Sequence, residues 1–152
     1  MPQEVKHSGL GIMEDHPHSR MVLWHMTAFD NIAFSLSSKV PFLWLRRKLQ
    51  HSLRQEMASL CGEDLWDSTL RTLSLMQLQK LAYCKWILYR PHAMVCLDPF
   101  TGMDSQIDQV TEQMIQEMLR RDIAVLIVST YLPTSGLTGK TGYLWDGEFT
   151  KT

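Results

Sequence analysis

Glycine is scarce, with eight in 152 residues, below the average usage of about 7%. Few glycines leave few backbone cradles that can wrap a phosphate. Cysteine is scarcer: Cys61, Cys84 and Cys96 are odd in number and share no CxxC spacing. That excludes a disulfide framework and a thiolate zinc site, and leaves buried or idle thiols in a reducing compartment. Neither sign of charge is in excess, since 15 Lys and Arg stand against 16 Asp and Glu. A dedicated nucleic-acid binder would carry a basic excess, so no nucleic-acid partner is expected. The single basic run, Arg46-Arg47-Lys48, reads as the solvated face of a helix. His16, His18 and His25 have only Glu14 and Asp15 nearby and read as a solvated loop, not a metal site. No apolar stretch approaches the roughly 18 residues of a transmembrane helix, and the first 25 residues lack a signal peptide's apolar block. The expected localisation is therefore cytosolic. What remains is 45% apolar, in a length suited to one globular domain that buries roughly 70% of its unfolded-state surface.

Apolar periodicity divides the chain into two halves. Gly9-Leu10-Gly11-Ile12-Met13 reads as a short strand, followed by a polar loop. Thr27 is a natural N-cap for a helix to Leu36 with Ile32, Ala33 and Leu36 on its inner side. Pro41 is suited to open a further helix, on which Leu49, Leu53, Met57 and Leu60 form one stripe that ends near Gly62. Ser74 and Gln77 make a capping box for a helix that carries Leu78, Leu81, Ala82 and Leu88 and stops before Pro91. Ala93 to Leu97 and Ile123 to Val128 are unbroken apolar runs that read as buried strands. Between them a helix over Ser105 to Arg121 turns Ile107, Val110, Met114 and Met118 inward. Strand, helix, strand at this spacing is a right-handed crossover, so the second half is α/β with a parallel sheet. Gly142 to Phe149 reads as a hairpin with Asp146-Gly147 at its turn.

In order and spacing these elements, with the residues at their ends, resemble the nucleotide-binding domain of ATP-binding cassette (ABC) transporters. Leu73-Ser-Leu-Met-Gln77 stands where that family has its signature sequence. Met94-Val-Cys-Leu-Asp98 is similar to the Walker B strand, Thr101-Gly-Met-Asp104 to the D-loop, and Val125 to Thr130 to the strand that ends in the switch histidine. Leu144 to Glu148 is similar to the closing hairpin. Gly11 to Asp15 and then Met26 to Phe34 resemble the Q-loop and the start of the helical subdomain. The resemblance covers nearly the whole chain, although no single motif is intact. It implies a partial P-loop NTPase-like (RecA-like) parallel sheet with a helical subdomain and a C-terminal β-hairpin. The implied division is 1–26 for the Q-loop-like strand and loop, 27–90 for the helical subdomain, and 91–152 for the C-terminal part of the α/β core. The family's Gly-rich phosphate loop belongs upstream of the Q-loop, and the expectation is a chain equivalent to roughly the last two thirds of a larger domain.

Phosphoryl transfer needs backbone N–H groups and a Lys around the phosphates, a Mg²⁺ ligand, and a group that orients water. Thr134 to Thr141 is one residue short of a Gly-x4-Gly-Lys-Thr pattern and is followed by a hairpin, not by the helix such a loop requires. At the signature, Ser74 and Gln77 are kept but Leu75 and Met76 replace glycines, so side chains stand between phosphate and the helix amides. A capping box accounts for Ser74 and Gln77 equally well. By resemblance Asp98 would hold Mg²⁺ through water, but it runs directly into Pro99 where the family has its general-base glutamate. As a strand-end turn residue Asp98 has an equally good purely structural role. Thr130 replaces the switch histidine, and Glu14 stands where a glutamine helps coordinate Mg²⁺. The degenerate cofactor-binding positions are thus Ser74, Gln77, Asp98, Asp104 and Glu14, with no catalytic residue and no metal ligand.

The resemblance also implies a docking groove for a permease, to which Met21, Trp24, Met26, Phe42 and Trp44 could contribute adaptable apolar contacts. The leading expectation is a non-hydrolysing ABC ATPase-like subunit with a structural or regulatory role. Its partners would be a transporter permease and an intact ABC ATPase, and it would sit on the cytoplasmic face of a membrane only through the permease. One alternative is half of a composite site that binds ATP and Mg with a partner ATPase, to which this chain supplies Ser74 and Asp104. The other is a decayed, non-functional remnant.

Overall fold

The computed structural model describes residues 9–41, 48–100, 104–130, 137, 139, 140, 142–145 and 148–151. The sequence-based assignments to Phe42, Trp44, Arg46, Arg47, Thr101 to Met103, most of 134–141 and Asp146-Gly147 lie outside the described residues. In chain order the elements are β1 (Leu10–Met13), α1 (Pro17–Arg20), α2 (Ala28–Leu36), α3 (Gln50–Cys61), a 3₁₀ turn (Leu70–Thr72), α4 (Leu75–Tyr89), β2 (Ala93–Leu97), α5 (Ser105–Arg120), β3 (Ala124–Val128), β4 (Gly142–Trp145) and β5 (Glu148–Lys151). β1, β2 and β3 form a parallel sheet in that order, with Leu10 opposite Ala93 and Ala93 opposite Ala124. β4 and β5 pair antiparallel as a separate hairpin. The architecture is α/β, with helices on one side of a short parallel sheet.

The helix boundaries follow from local chemistry. The Thr27 hydroxyl accepts from Asp30 N, while Ala28 N and Phe29 N donate to the carbonyls of Ser68 and Trp66. The otherwise unpaired first-turn N–H groups of α2 are thus all satisfied. Trp66 also stacks on Phe29 at 4.3 Å between ring centres, so the loop before the 3₁₀ turn is pinned to α2 by both rings and backbone. Gly62 takes the left-handed conformation (φ 82°) that ends α3, and Lys80 Nζ donates to the carbonyl of Cys61.

α4 packs against α1, α2, α3 and α5, and its Leu81, Ala82, Tyr83, Cys84 and Ile87 are buried at the centre of one continuous apolar core. The predicted α3 stripe is only partly enclosed: Met57 is buried, while Leu49, Leu53 and Leu60 pack at the core margin. On α5 all four predicted inward residues, Ile107, Val110, Met114 and Met118, are buried. The three thiols are free and buried, and burial pushes the Cys96 thiol up to about 12.

One expectation needs correction. Both apolar runs were expected to be buried strands, yet β2 and β3 are covered on one face only. Met94 and Cys96 are fully buried, while Leu97, Leu126 and Val128 are exposed. An unbroken apolar run signals a strand built for burial on both faces. It does not say whether these 152 residues supply the cover.

Met94 of β2 and Trp86 of α4 cover β1 so closely that Gly11 leaves no room for a side chain. An added Cβ would lie 2.1 Å from Met94 Sδ and 3.0 Å from two ring carbons of Trp86. Gly11→Ala is expected to cost about 1–3 kcal/mol by overpacking. A denaturant melt would check this, and an unchanged midpoint would refute the close approach.

Candidate functional site

The five degenerate motif positions fall at or beside element ends, and Ser74, Gln77, Asp98 and Asp104 each have a local structural partner. At the start of α4 the capping box is complete: Ser74 Oγ accepts from Gln77 N at 3.3 Å, and Gln77 Oε1 accepts from Ser74 N at 2.7 Å. The Gln77 amide also donates to Glu63 at 2.8 Å. Leu75 and Met76 flank this helix end with side chains 46% and 41% exposed. Apolar side chains thus stand where a helix N-terminus would otherwise offer bare amides to an anion.

Asp98 ends β2 in the left-handed region (φ 40°), which Asp tolerates better than most residues. Its own N–H donates to the Val128 carbonyl at 2.8 Å, and its Oδ1 accepts from Thr130 N at 2.9 Å, Ser129 Oγ at 3.1 Å and Thr130 Oγ1 at 3.2 Å. Asp98 therefore clamps the end of β2 to the end of β3. The Thr130 N–H, followed by the Ser129 hydroxyl, holds this carboxyl below its ordinary range. A depressed carboxyl pKa contributes stability that is present above the unfolded-state value and is lost as pH falls through the folded one. The wild-type protein is thus expected to lose stability progressively below about pH 4. Asp98→Asn should lose less over that interval, as read by thermal melts at stepped pH. Equal losses would exclude Asp98 as a contributor, since Asp64 and Glu117, also held low by arginine partners, remain in both proteins.

Asp104 caps α5, its Oδ1 accepting from Gln106 N at 2.9 Å and Ile107 N at 3.2 Å. Among the described residues, no three His, Cys, Asp or Glu side chains converge to hold a metal ion.

Glu14 and Met21 instead line a cleft of about 260 Å³ between β1, the loop after α1, α2 and α4. Its apolar walls include Leu23, Phe34, Trp86 and Tyr89, and its charged lining is Glu14, Arg20 and Lys85. Lys85 Nζ donates to the Met21 carbonyl, and Arg20 pairs with Asp15 at 2.8 Å, so the cations also brace the loop. Met26 and Phe34 continue the apolar surface into a shallower neighbouring depression with Asp30 and Ser37. Trp24 is half-exposed close by in sequence, its indole N–H donating to the Ser19 carbonyl at 3.3 Å. Sequence reasoning missed Phe34, Lys85, Trp86 and Tyr89. The readable signal was Lys85, a lone charge inside the apolar stretch from Leu81 to Leu88.

No family model matches the chain. Among curated proteins, it is 31% identical over 105 residues to the molybdate/tungstate import ATP-binding protein WtpC of Pyrococcus horikoshii, covering 68% of this chain and 28% of that protein. It is 21% identical over 151 residues to the ribose import ATP-binding protein RbsA of Halalkalibacterium halodurans, covering 97% of this chain and 30% of that protein. The chain thus spans less than a third of the length of these relatives. Among solved structures, the ADP conformation of MJ1267, an ATP-binding cassette of an ABC transporter, superposes with a TM-score of 0.64 at 17% identity, covering 87% of this chain and 55% of that one. cbiO1 from Clostridium perfringens, part of the ABC transporter complex cbiONQ, gives 0.60 at 16% identity, covering 81% and 48%. The solved neighbours establish the fold and the curated relatives the lineage: the chain belongs to the nucleotide-binding domains of ABC transporters and corresponds to part of one.

Proposed function

We propose that the chain is a non-hydrolysing, pseudo-ATPase member of its family that docks on a transporter's permease as a structural or regulatory subunit. It would act at the cytoplasmic face of a membrane through that permease, in a heteromeric complex. No helix among the described residues is long and apolar enough to cross a membrane. Residues 27–90 then act as the helical subdomain and 91–152 as the remaining α/β core.

The observation that carries this reading is the contrast between two surfaces. The Asp98 Oδ1 already accepts three hydrogen bonds from Ser129 and Thr130. Leu75 and Met76 put exposed apolar side chains at the first turn of α4, and no carboxylate follows Asp98 to activate water. This donor set does not fit a magnesium-bound nucleotide. The cleft, by contrast, is open, mostly apolar and rimmed by Glu14, Arg20 and Lys85. An amphipathic helix of a membrane subunit is a suitable occupant, its apolar side against Met21, Leu23 and Phe34 and its polar edge toward the charged rim. Trp24 and Met26 extend the apolar contact area.

The rival reading, half of a composite ATP site, rests on the exposed Ser74 at the α4 N-terminus. Introducing Ser74→Arg into the assembled complex separates the two. ATP turnover within about twofold of wild type is expected here; a loss of 10²-fold or more, the scale of removing one electrostatic contact to the transition state, would establish the composite site. Isolation of the native complex should recover the permease, and recovery of a free monomer would overturn the docking role.

A further inference from the structure

We propose that Cys61 and Cys84 are a disulfide-forming pair, oxidised by a low-molecular-weight disulfide such as glutathione disulfide to a link that ties α3 to α4. Cys61 is the last residue of α3, Cys84 lies well inside α4, and both are buried in the core where these helices pack on each other. Lys80, one turn before Cys84 on the same side of α4, donates through Nζ to the Cys61 carbonyl at 2.8 Å. The two thiols are hydrogen-bonded to each other, the Cys84 S–H donating to Cys61 Sγ. Backbone and side-chain contacts thus bring the end of α3 and one turn of α4 together at this pair. Cys96 lies in β2, where burial alone raises its thiol.

The contact gives the two sulfurs different roles. The Cys84 S–H, with the Lys80 ammonium nearby, stabilises the Cys61 thiolate and holds that thiol below its ordinary value, whereas the bond to Cys61 and burial push Cys84 well above. Cys61 is therefore the attacking sulfur. Residues 62–64, directly after it, are exposed, so fraying of the last turn of α3 opens Cys61 to solvent. Its thiolate attacks the glutathione disulfide, forms a mixed disulfide and releases one glutathione. The Cys84 thiolate then attacks Cys61 Sγ and releases the second. The protein loses two electrons to the glutathione disulfide, and the two thiol protons end on the two glutathione molecules. In a reducing compartment the pair stands reduced, and the link forms as the ratio of disulfide to thiol rises. It fixes the end of α3 to the helix whose next residues, Lys85 and Trp86, line the cleft.

The test treats the reduced, folded full-length protein with glutathione disulfide, quenches with acid and maps the peptides by mass spectrometry. Peptides holding Cys61 and Cys84 should be linked, at least about tenfold in excess over either linked to Cys96, because only sulfurs already close can be bridged without backbone movement. Dithiothreitol should reverse the link. In a guanidinium-denatured reference chain separation alone selects, and the nearest pair in sequence, Cys84 and Cys96, should lead instead. Cys84→Ala should arrest Cys61 as the glutathione mixed disulfide, while Cys61→Ala should leave Cys84 unreacted, with circular dichroism checking that both variants fold. The wild-type peptide map decides the pairing without either variant. No link in the folded protein, a dominant link to Cys96, or glutathione held on Cys84 in place of Cys61 overturns the proposal. The outcome is independent of permease docking, since neither cysteine lines the cleft.

Discussion

Replacing Trp66 with alanine is expected to destabilise the protein by about 3–5 kcal/mol, the range for deleting a buried aromatic side chain. Trp66 is 2% exposed and stacks on Phe29, and its segment supplies the backbone acceptors that complete the first turn of α2. Losing the ring leaves a cavity and also loosens the loop that carries the Trp66 and Ser68 carbonyls. Two first-turn N–H groups of α2 then lose well-placed acceptors, each worth about 1 kcal/mol. At roughly 2–4 °C per kcal/mol for a chain of this size, the melting temperature should fall by about 6–20 °C. A drop of less than about 4 °C would mean the site collapses around the deletion and that α2 does not depend on this loop.

If the cleft docks a permease as proposed, Phe34→Gln is expected to weaken that binding by about 10- to 100-fold while leaving the fold intact. Phe34 is 56% exposed near the end of α2 and borders both the cleft and the adjoining depression. Aromatic anchors at the centre of an apolar contact commonly carry 2 kcal/mol or more of binding energy, about 30-fold. An exposed substitution of this kind changes stability by no more than about 0.5 kcal/mol. Glutamine adds no charge near the negative end of the helix dipole, so a binding defect is not confused with a helix-end effect. Affinity would be measured against the permease's cytosolic segments, with a parallel melt. A change below about threefold, under 1 kcal/mol, would place the docking contact elsewhere on the protein.

Most of the secondary structure was legible because strong local signals agreed. The Ser74 and Gln77 capping box, the Thr27 cap, the Gly62 stop and the apolar spacing of α5 each predicted an element or boundary that is present. These signals act within a few residues, so a single sequence carries them in full. The cleft was legible only in part. Of the residues the sequence offers for docking, Met21 lines the cleft, Met26 lines the adjoining depression and Trp24 lines neither, while Phe34, Trp86 and Tyr89 join Met21 through the packing of α2 and α4 beside β1. Trp86 and Tyr89 lie more than fifty positions from Met21 and Phe34, a separation that leaves no periodic trace.

By itself, the sequence determined the α/β class, the element order and the family. These are matters of residue type and spacing, fixed before any long-range contact forms. Only the tertiary structure decided what the surviving motif residues do and which apolar surfaces stay open. Asp98 clamps β2 to β3 because two parallel strands end side by side and present three donors to one oxygen. Leu126 and Val128 remain in solvent because every helix found packs on the opposite face of the sheet. Burial depends on what lies across the sheet, and an apolar run reads the same whether or not that cover is present.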